Sequence, residues 1–349
     1  MKFAGFNGVK AKRPLVKTRG CLSLLLFWLI ATEFAWSQST SPELLQGAKK
    51  EGKLVWYTSM AIDTSKPLLD AFLVQYPFIK ADLLRLGEEQ LLNRILAEAR
   101  AGKSLFDVVS SSGVQVLALR NFLSPYASVE AHAYAAELKD PQNRWTAVYN
   151  NNLVPVYNTK MLPEKDAPKD YPDLLDAKWK GKLLMDSTDY DWYGTLAVVW
   201  GKEAATRYMQ RLAQQSPAWR RGHGLVAQLI AAGEVPLGWA YNFRVERMKI
   251  EGAPVEWIAS FNPIVTTING IGLSAKAVAP NAGKLFIDFI LSKKGQEMIR
   301  DMRRIPSRSD VKPLAPKMDQ SKLRLKLVPG EVSANADRYA EEFRKIFGL

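Results

Sequence analysis

The residues able to do chemistry in this 349-residue chain sit where apolar runs stop. Thr58 and Ser59 follow the run 54–57, Glu88 follows 81–86 and the strand breaker Gly87, and Ser111 and Ser112 lie in the serine turn after 107–109. Farther on, the stretch 186–193 carries Asp186, Ser187, Thr188, Asp189, Tyr190, Trp192 and Tyr193, which suit hydrogen bonding or an aromatic wall. The stretch 220–224 reads Arg-Arg-Gly-His-Gly, with Arg220 and His223, and Tyr241 and Arg244 follow the run 235–239. Hydroxyls combined with helix N-terminal N–H groups receive an anionic group well. The same serines and threonines also serve as plain helix caps. Three polar turns at the ends of three successive strands favour a site over three unrelated caps. The guanidinium forks and N–H groups of 220–224 suit a carboxylate or phosphonate, with a solvated basic loop as the other reading. The aromatic residues of 186–193 form a wall or belong to the core, and Arg244 faces a cleft or lies on the surface.

The elements that must position these residues follow from periodicity. The runs 54–57, 81–86 and 107–109 read as short strands. They alternate with helices over 65–76, 90–101 and 114–120, whose apolar residues recur at helical spacing. Strand, helix, strand, helix implies a mostly parallel sheet with ligand groups at its carboxyl ends. The stretch 145–157 is extended and apolar with Asn150, Asn151 and Asn152 in its middle, which suits a crossover. A second α/β unit follows: a strand over 181–185, a polar aromatic loop over 186–194, a helix over 195–212, and a strand over 235–239. A return strand over 268–273 and helices over 282–291 and 294–300 close the chain.

Length favours two lobes over one very large core. Lys2, Lys10, Lys12, Arg13, Lys17 and Arg19 precede an apolar run over 21–31, and Ala35 and Ser37 offer small residues for cleavage. That is the pattern of a secretory signal peptide, and the run falls short of the roughly 20 residues that span a bilayer. Cys21, the single cysteine, starts the apolar run instead of ending it, so it does not suit lipid anchoring. Removing residues 1–37 removes it and with it any disulfide or cysteine nucleophile. The net charge of +13 then falls by about five to roughly +8, since six basic residues and Glu33 leave. No recognised nucleic-acid motif accompanies this charge, so no nucleic acid is expected as a partner. No GxSxG, HExxH or P-loop spacing occurs and there are two histidines, so neither an enzyme nor a resident cofactor is expected.

From residue 54 onward the sequence resembles the extracellular solute-binding proteins of ABC importers, the group with ferric-ion and 2-aminoethylphosphonate receptors. The resemblance rests on Val55-Trp56-Tyr57-Thr58-Ser59, the block 91–102 (LLNRILAEARAG), 106–109, Trp179-Lys180-Gly181-Lys182, and Ala231-Ala232-Gly233-Glu234-Val235-Pro236. It implies a type II periplasmic-binding-protein (Venus-flytrap) fold of two α/β lobes, each a mostly parallel sheet flanked by helices. It also implies a small-molecule ligand in the cleft, ABC permease and ATPase partners, and a periplasmic monomer. The division expected is a signal peptide over 1–37, lobe 1 over 38–150, lobe 2 over 151–265, and a return to lobe 1 with C-terminal helices over 266–349. Ferric-binding members hold iron on adjacent tyrosines where this chain has Tyr241 followed by Asn242. An anionic organic or phosphonate-like solute is therefore the first expectation and Fe(III) on Tyr241 the alternative. An exported enzyme or a receptor for a signalling partner is the rival from another class.

Overall fold

The computed structural model describes residues 41–349; the signal-peptide expectation for 1–37 lies outside the described residues. Twelve strands appear in chain order: β1 Lys53–Thr58, β2 Lys80–Arg85, β3 Val108–Ser111, β4 Leu123–Ser124, β5 Thr146–Asn158, β6 Leu183–Asp186, β7 Ala218–Arg220, β8 Leu237–Tyr241, β9 Val255–Trp257, β10 Ile264–Ser274, β11 Ile305–Pro306 and β12 Leu325–Leu327. The main path through the sheet runs β2-β1-β3-β10-β5-β8-β6-β7. Its two ends are parallel, with β1 between β2 and β3, and β6 between β7 and β8. Between them β5 and β10 run antiparallel to each other and to the strands they flank. Two parallel α/β halves are thus joined through two long strands, as the fold expectation has it.

β5 shows why the halves are separate bodies of apolar side chains. All of its residues are buried. Val148 and Tyr149 pack with Trp56, Phe72 and Phe286, whereas Leu153, Val154 and Val156 pack with Trp192, Trp239 and Trp257. Asn150, Asn151 and Asn152 fall between, so the polar middle of the run marks the passage from one core to the other. β10 repeats this, with Ile264 and Val265 in the second core and Ile271 and Leu273 in the first.

Three expectations are corrected. The segment 186–194 is not one loop, because a helix starts at Tyr190 and runs to Trp200. The helix expected over 195–212 is two, broken at Gly201, whose φ of 86° stops the first and starts Lys202–Ala213. The last helix of the chain packs with the second core. Tyr339 and Phe343 of the helix Ala336–Phe347 lie in the second core, and Tyr339 meets Tyr193 edge to face at 5.9 Å. Apolar surface left open by helix Tyr190–Trp200 explains that docking: Gly194 leaves room for Val332 and Tyr339, whose atoms stand 2.6 and 3.1 Å from where a Cβ would be.

Candidate functional site

The polar turns after the parallel strands face one another across a cleft of about 1080 Å³. Glu88, Ser112 and Gly113 line it from the first half, and Asp186, Ser187, Asp191, His223 and Tyr241 from the second.

On the first wall Glu88 organises the serine turn. Its carboxylate accepts from Ser111 Oγ at 2.5 Å and from the N–H groups of Ser112 and Gly113 at 2.9 Å each. Gly113 permits this approach, since a Cβ there would lie 2.6 Å from Glu88 Oε1. The carboxylate therefore occupies the N-terminus of the helix Val114–Leu119, and of the two serines only Ser112 lines the cleft. Thr58 is fully buried, its hydroxyl 2.7 Å from Ser110 Oγ and accepting from Met60 N–H, so its role is internal. Ser59, just after β1, accepts from Asn269 Nδ2 of β10 at 3.3 Å and is absent from the cleft lining.

The second wall is built on Asp186, the last residue of β6. Its Oδ1 accepts from the Thr188 N–H and hydroxyl at 3.0 and 2.8 Å, and its Oδ2 accepts from Gly222 N–H at 2.8 Å. His223 stands between Asp189, 2.8 Å from its Nε2, and Asp186, 3.4 Å from its Nδ1. Its ring centroid is 4.2 Å from that of Tyr241. Burial works against the imidazolium, but the two carboxylates overcome it and raise the His223 pKa above its ordinary value. Burial, then the charge of Asp189, push the Tyr241 phenol well up, so it faces the cleft as a neutral O–H.

Asp191, in the first turn of the helix after β6, is pushed up to about 6, first by burial and then by Asp189 and Glu88. Between its ordinary 3.8 and about 6 the unfolded carboxyl ionises before the folded one, so stability falls as pH rises through that window and stays low above it. Asp191→Asn is expected to stabilise the ligand-free protein at pH 7.5 by up to about 3 kcal/mol. The gain should vanish below pH about 4; urea melts at the two pH values measure it, and an equal effect at both would contradict the assignment.

Other expected site residues lie elsewhere. Tyr193 is core: its hydroxyl donates to Glu342 at 3.0 Å and lies 2.9 Å from Thr206 Oγ1, because the helix begins at Tyr190 and turns that face inward. Arg220 is the exposed end of β7, donates to the carbonyl of Trp219, and is absent from the cleft lining, where Arg221 appears instead. Arg244 lines a second opening, of about 790 Å³, beside Gly224, Phe243 and Arg304. Reading strand ends named Asp186 and Asp189 as able to supply hydrogen bonds but passed over Asp191; an acidic residue at a helix start was the available signal.

Two α/β halves facing across a polar cleft define a two-lobed binding protein of the kind that serves ABC importers. A family profile described as bacterial extracellular solute-binding protein matches residues 70–324, and the chain belongs to that family. It is 23% identical over 268 residues to an Fe(3+)-binding periplasmic protein of Serratia marcescens, covering 73% of this chain and 78% of that one. It is 24% identical over 305 residues to a putative 2-aminoethylphosphonate-binding periplasmic protein of Salmonella typhimurium, covering 84% and 86%. Among solved structures it is similar to the periplasmic binding protein AfuA from Actinobacillus pleuropneumoniae with fructose-6-phosphate bound. There the TM-score is 0.72 and the identity 25%, over 85% of this chain and 99% of that one. The family binds solutes; it is not a family of enzymes.

Proposed function

We propose that this protein captures a small organic solute carrying an anionic group between its lobes in the periplasm and presents it to the permease and ATPase of an ABC importer. On this reading it is exported by a cleaved signal peptide over 1–37, acts as a monomer and binds no nucleic acid. One lobe comprises 38–150 with the returning strand and the helices up to about 301. The other comprises 151–265 with the end of the chain.

One observation carries the ligand class. The helices Ile62–Gln75, Tyr190–Trp200, His223–Ala232 and Asn242–Ile250 each begin at residues lining the two openings, and none has a side-chain cap on its first turn. The positive ends of three of these helix dipoles, those of the helices starting at Tyr190, His223 and Asn242, then meet at the cleft, an environment that favours negative charge, and the fourth starts at the second opening. Fe(III) is supported less well. The Glu88 oxygens already hold three donors, and Tyr241 is followed by Asn242, which is fully buried. A hard trivalent ion needs several anionic oxygens at once.

Calorimetric titration of protein stripped of ligand by unfolding and refolding tests this, with 2-aminoethylphosphonate, inorganic phosphate, small carboxylates and Fe(III)-citrate. An organic anion is expected to bind at micromolar Kd or tighter, and Tyr241→Phe to weaken it about tenfold, the worth of a hydrogen bond to a charged group. A purple protein whose phenolate band disappears in Tyr241→Phe would establish the ferric reading instead.

A further inference from the structure

The helix Tyr190–Trp200 presents its start to the cleft with its donors unused. Asp189 precedes the first turn without a side-chain bond to it, and the first N–H to find a carbonyl is that of Tyr193, on Asp189. The N–H groups of Tyr190, Asp191 and Trp192 have no partner among the described residues. An anion at this helix start meets the side chain of Asp191, the second residue of the helix. That side chain lines both the cleft and a recess of about 40 Å³ that shares Ser112 and Ser333 with it. What acts on its carboxyl is burial first and then the charges of Asp189 and Glu88, all of which disfavour the ionised form. None of the other ionisable groups of the cleft supplies a cation to it. Glu88 holds three donors, and His223 is held between Asp186 and Asp189. Arg221 lies 3.9 Å from Glu89, both well exposed, and the phenols of Tyr190 and Tyr241 are pushed up by burial and stay neutral. Asp337 and Arg344 stand exposed on the last helix, and neither is among the charges that shift Asp191. A carboxylate and an anionic solute at one helix start repel each other across a poorly solvated gap. The relief open to them is a proton between them, as in any pair of acids that share a site.

We propose that Asp191 meets the solute as a carboxylic acid whose O–H donates to one oxygen of the anionic group, so that capture takes one proton from solution. Asp191 then decides both how tightly an anion is held and how that changes with pH. The only bond formed is the O–H: the carboxylate of the free protein gains the proton that it then shares with the solute. This inference rests on the cleft being the site of an anion. Linkage fixes the direction. The free carboxyl titrates at about 6 and the bound one higher, so between the two values a proton accompanies binding and the Kd rises with pH, about tenfold per unit. Below about pH 5 the acid is protonated with and without solute, and the dependence disappears.

The test is calorimetry on wild type and Asp191→Asn with lactate, methanesulfonate, inorganic phosphate and 2-aminoethylphosphonate, from pH 5 to 8.5. Each titration is repeated in buffers of different ionisation enthalpy, which counts the protons exchanged net of the solute's own titration. Wild type is expected to take up close to one proton at pH 7.5 and to lose about tenfold in affinity from there to pH 8.5. Asp191→Asn keeps a donor in place and carries no charge. It is expected to take up none, to hold one Kd across the range, and to bind at pH 8.5 at least tenfold more tightly than wild type. If the uptake persists in Asp191→Asn, His223 is the group that gains the proton. If wild type exchanges no proton, or gives one up to solution, Asp191 meets the solute as a carboxylate. Each of these results overturns the proton-sharing role and leaves the cleft reading standing, since an anion still binds. Absence of binding by all four anions overturns both.

Discussion

Asp186→Ala is expected to remove solute binding and to cost about 3–5 kcal/mol of stability, the range for stripping one partner from a buried charged cluster. The carboxylate is 1% exposed and holds the Thr188 N–H and hydroxyl, the Gly222 N–H and one side of His223. Alanine leaves all of these facing an apolar methyl, and the turn before the helix His223–Ala232 loses the contact that sets its place. Asp186→Asn separates charge from hydrogen bonding, because it keeps one acceptor oxygen but removes the anion. The sign follows from His223, whose folded pKa is raised above 6.5. A raised histidine contributes stability that is fully present below the unfolded pKa and is lost as pH rises through the folded one. In Asp186→Asn that slope should flatten, and the His223 ring resonances should titrate at lower pH. Urea unfolding between pH 5 and 8 and an NMR titration read both quantities. A loss under 1 kcal/mol in Asp186→Ala, with the Kd of the bound solute within twofold of wild type, would show that Asp186 does not organise this wall.

Much of this wall was legible before any coordinates, and the rest was hidden for definite reasons. Apolar runs ending in small polar residues located the strand ends, because a parallel strand covered on both faces reads as a continuous apolar stretch. Glu88, Ser112, Ser187, His223 and Tyr241 accordingly meet in the cleft. The asparagine run 150–152 signalled the passage between cores for a similar reason, since polar residues interrupt an otherwise wholly buried strand. Tyr193 was misplaced because the helix it belongs to starts without a side-chain cap, so nothing in the run 186–194 announced that Tyr190 was already helical. Arg220 was taken for part of a turn because β7 has only three residues, too few for alternation to show. Nothing in the sequence near Arg304 announced that its guanidinium lies over the rings of Tyr149 and Phe243, which are far away in the chain. Local patterns thus located the strand ends, and long-range contacts decided which side chains reach the cleft.

Asp107 gives the second large effect, and it separates stability from binding. This residue precedes β3, at the end of the strand opposite the serine turn, and is 2% exposed. Its Oδ2 accepts from Val55 N–H at 2.9 Å, and its Oδ1 accepts from the N–H groups of Val278 and Ala279 at 2.8 Å each. One carboxylate thus fastens β1 to the segment entering the helix Pro280–Leu291, which supplies Phe286 and Ile290 to the first core. Asp107→Ala leaves three backbone donors without their acceptor, at about 1–3 kcal/mol for each that stays dry. With Val278 able to reach water, a total of about 3–5 kcal/mol is expected, seen as a drop in the urea midpoint with little change in m. Asp107 and Asp186 do the same physical work, holding backbone N–H groups with a buried carboxylate, but at opposite ends of their strands relative to the cleft. The solute Kd of folded Asp107→Ala should therefore equal that of wild type, and saturating solute should raise its midpoint by the amount mass action allows. A weakened Kd in this variant would mean that the first core is coupled to the cleft, and that the strand ends are not set by their own turns alone.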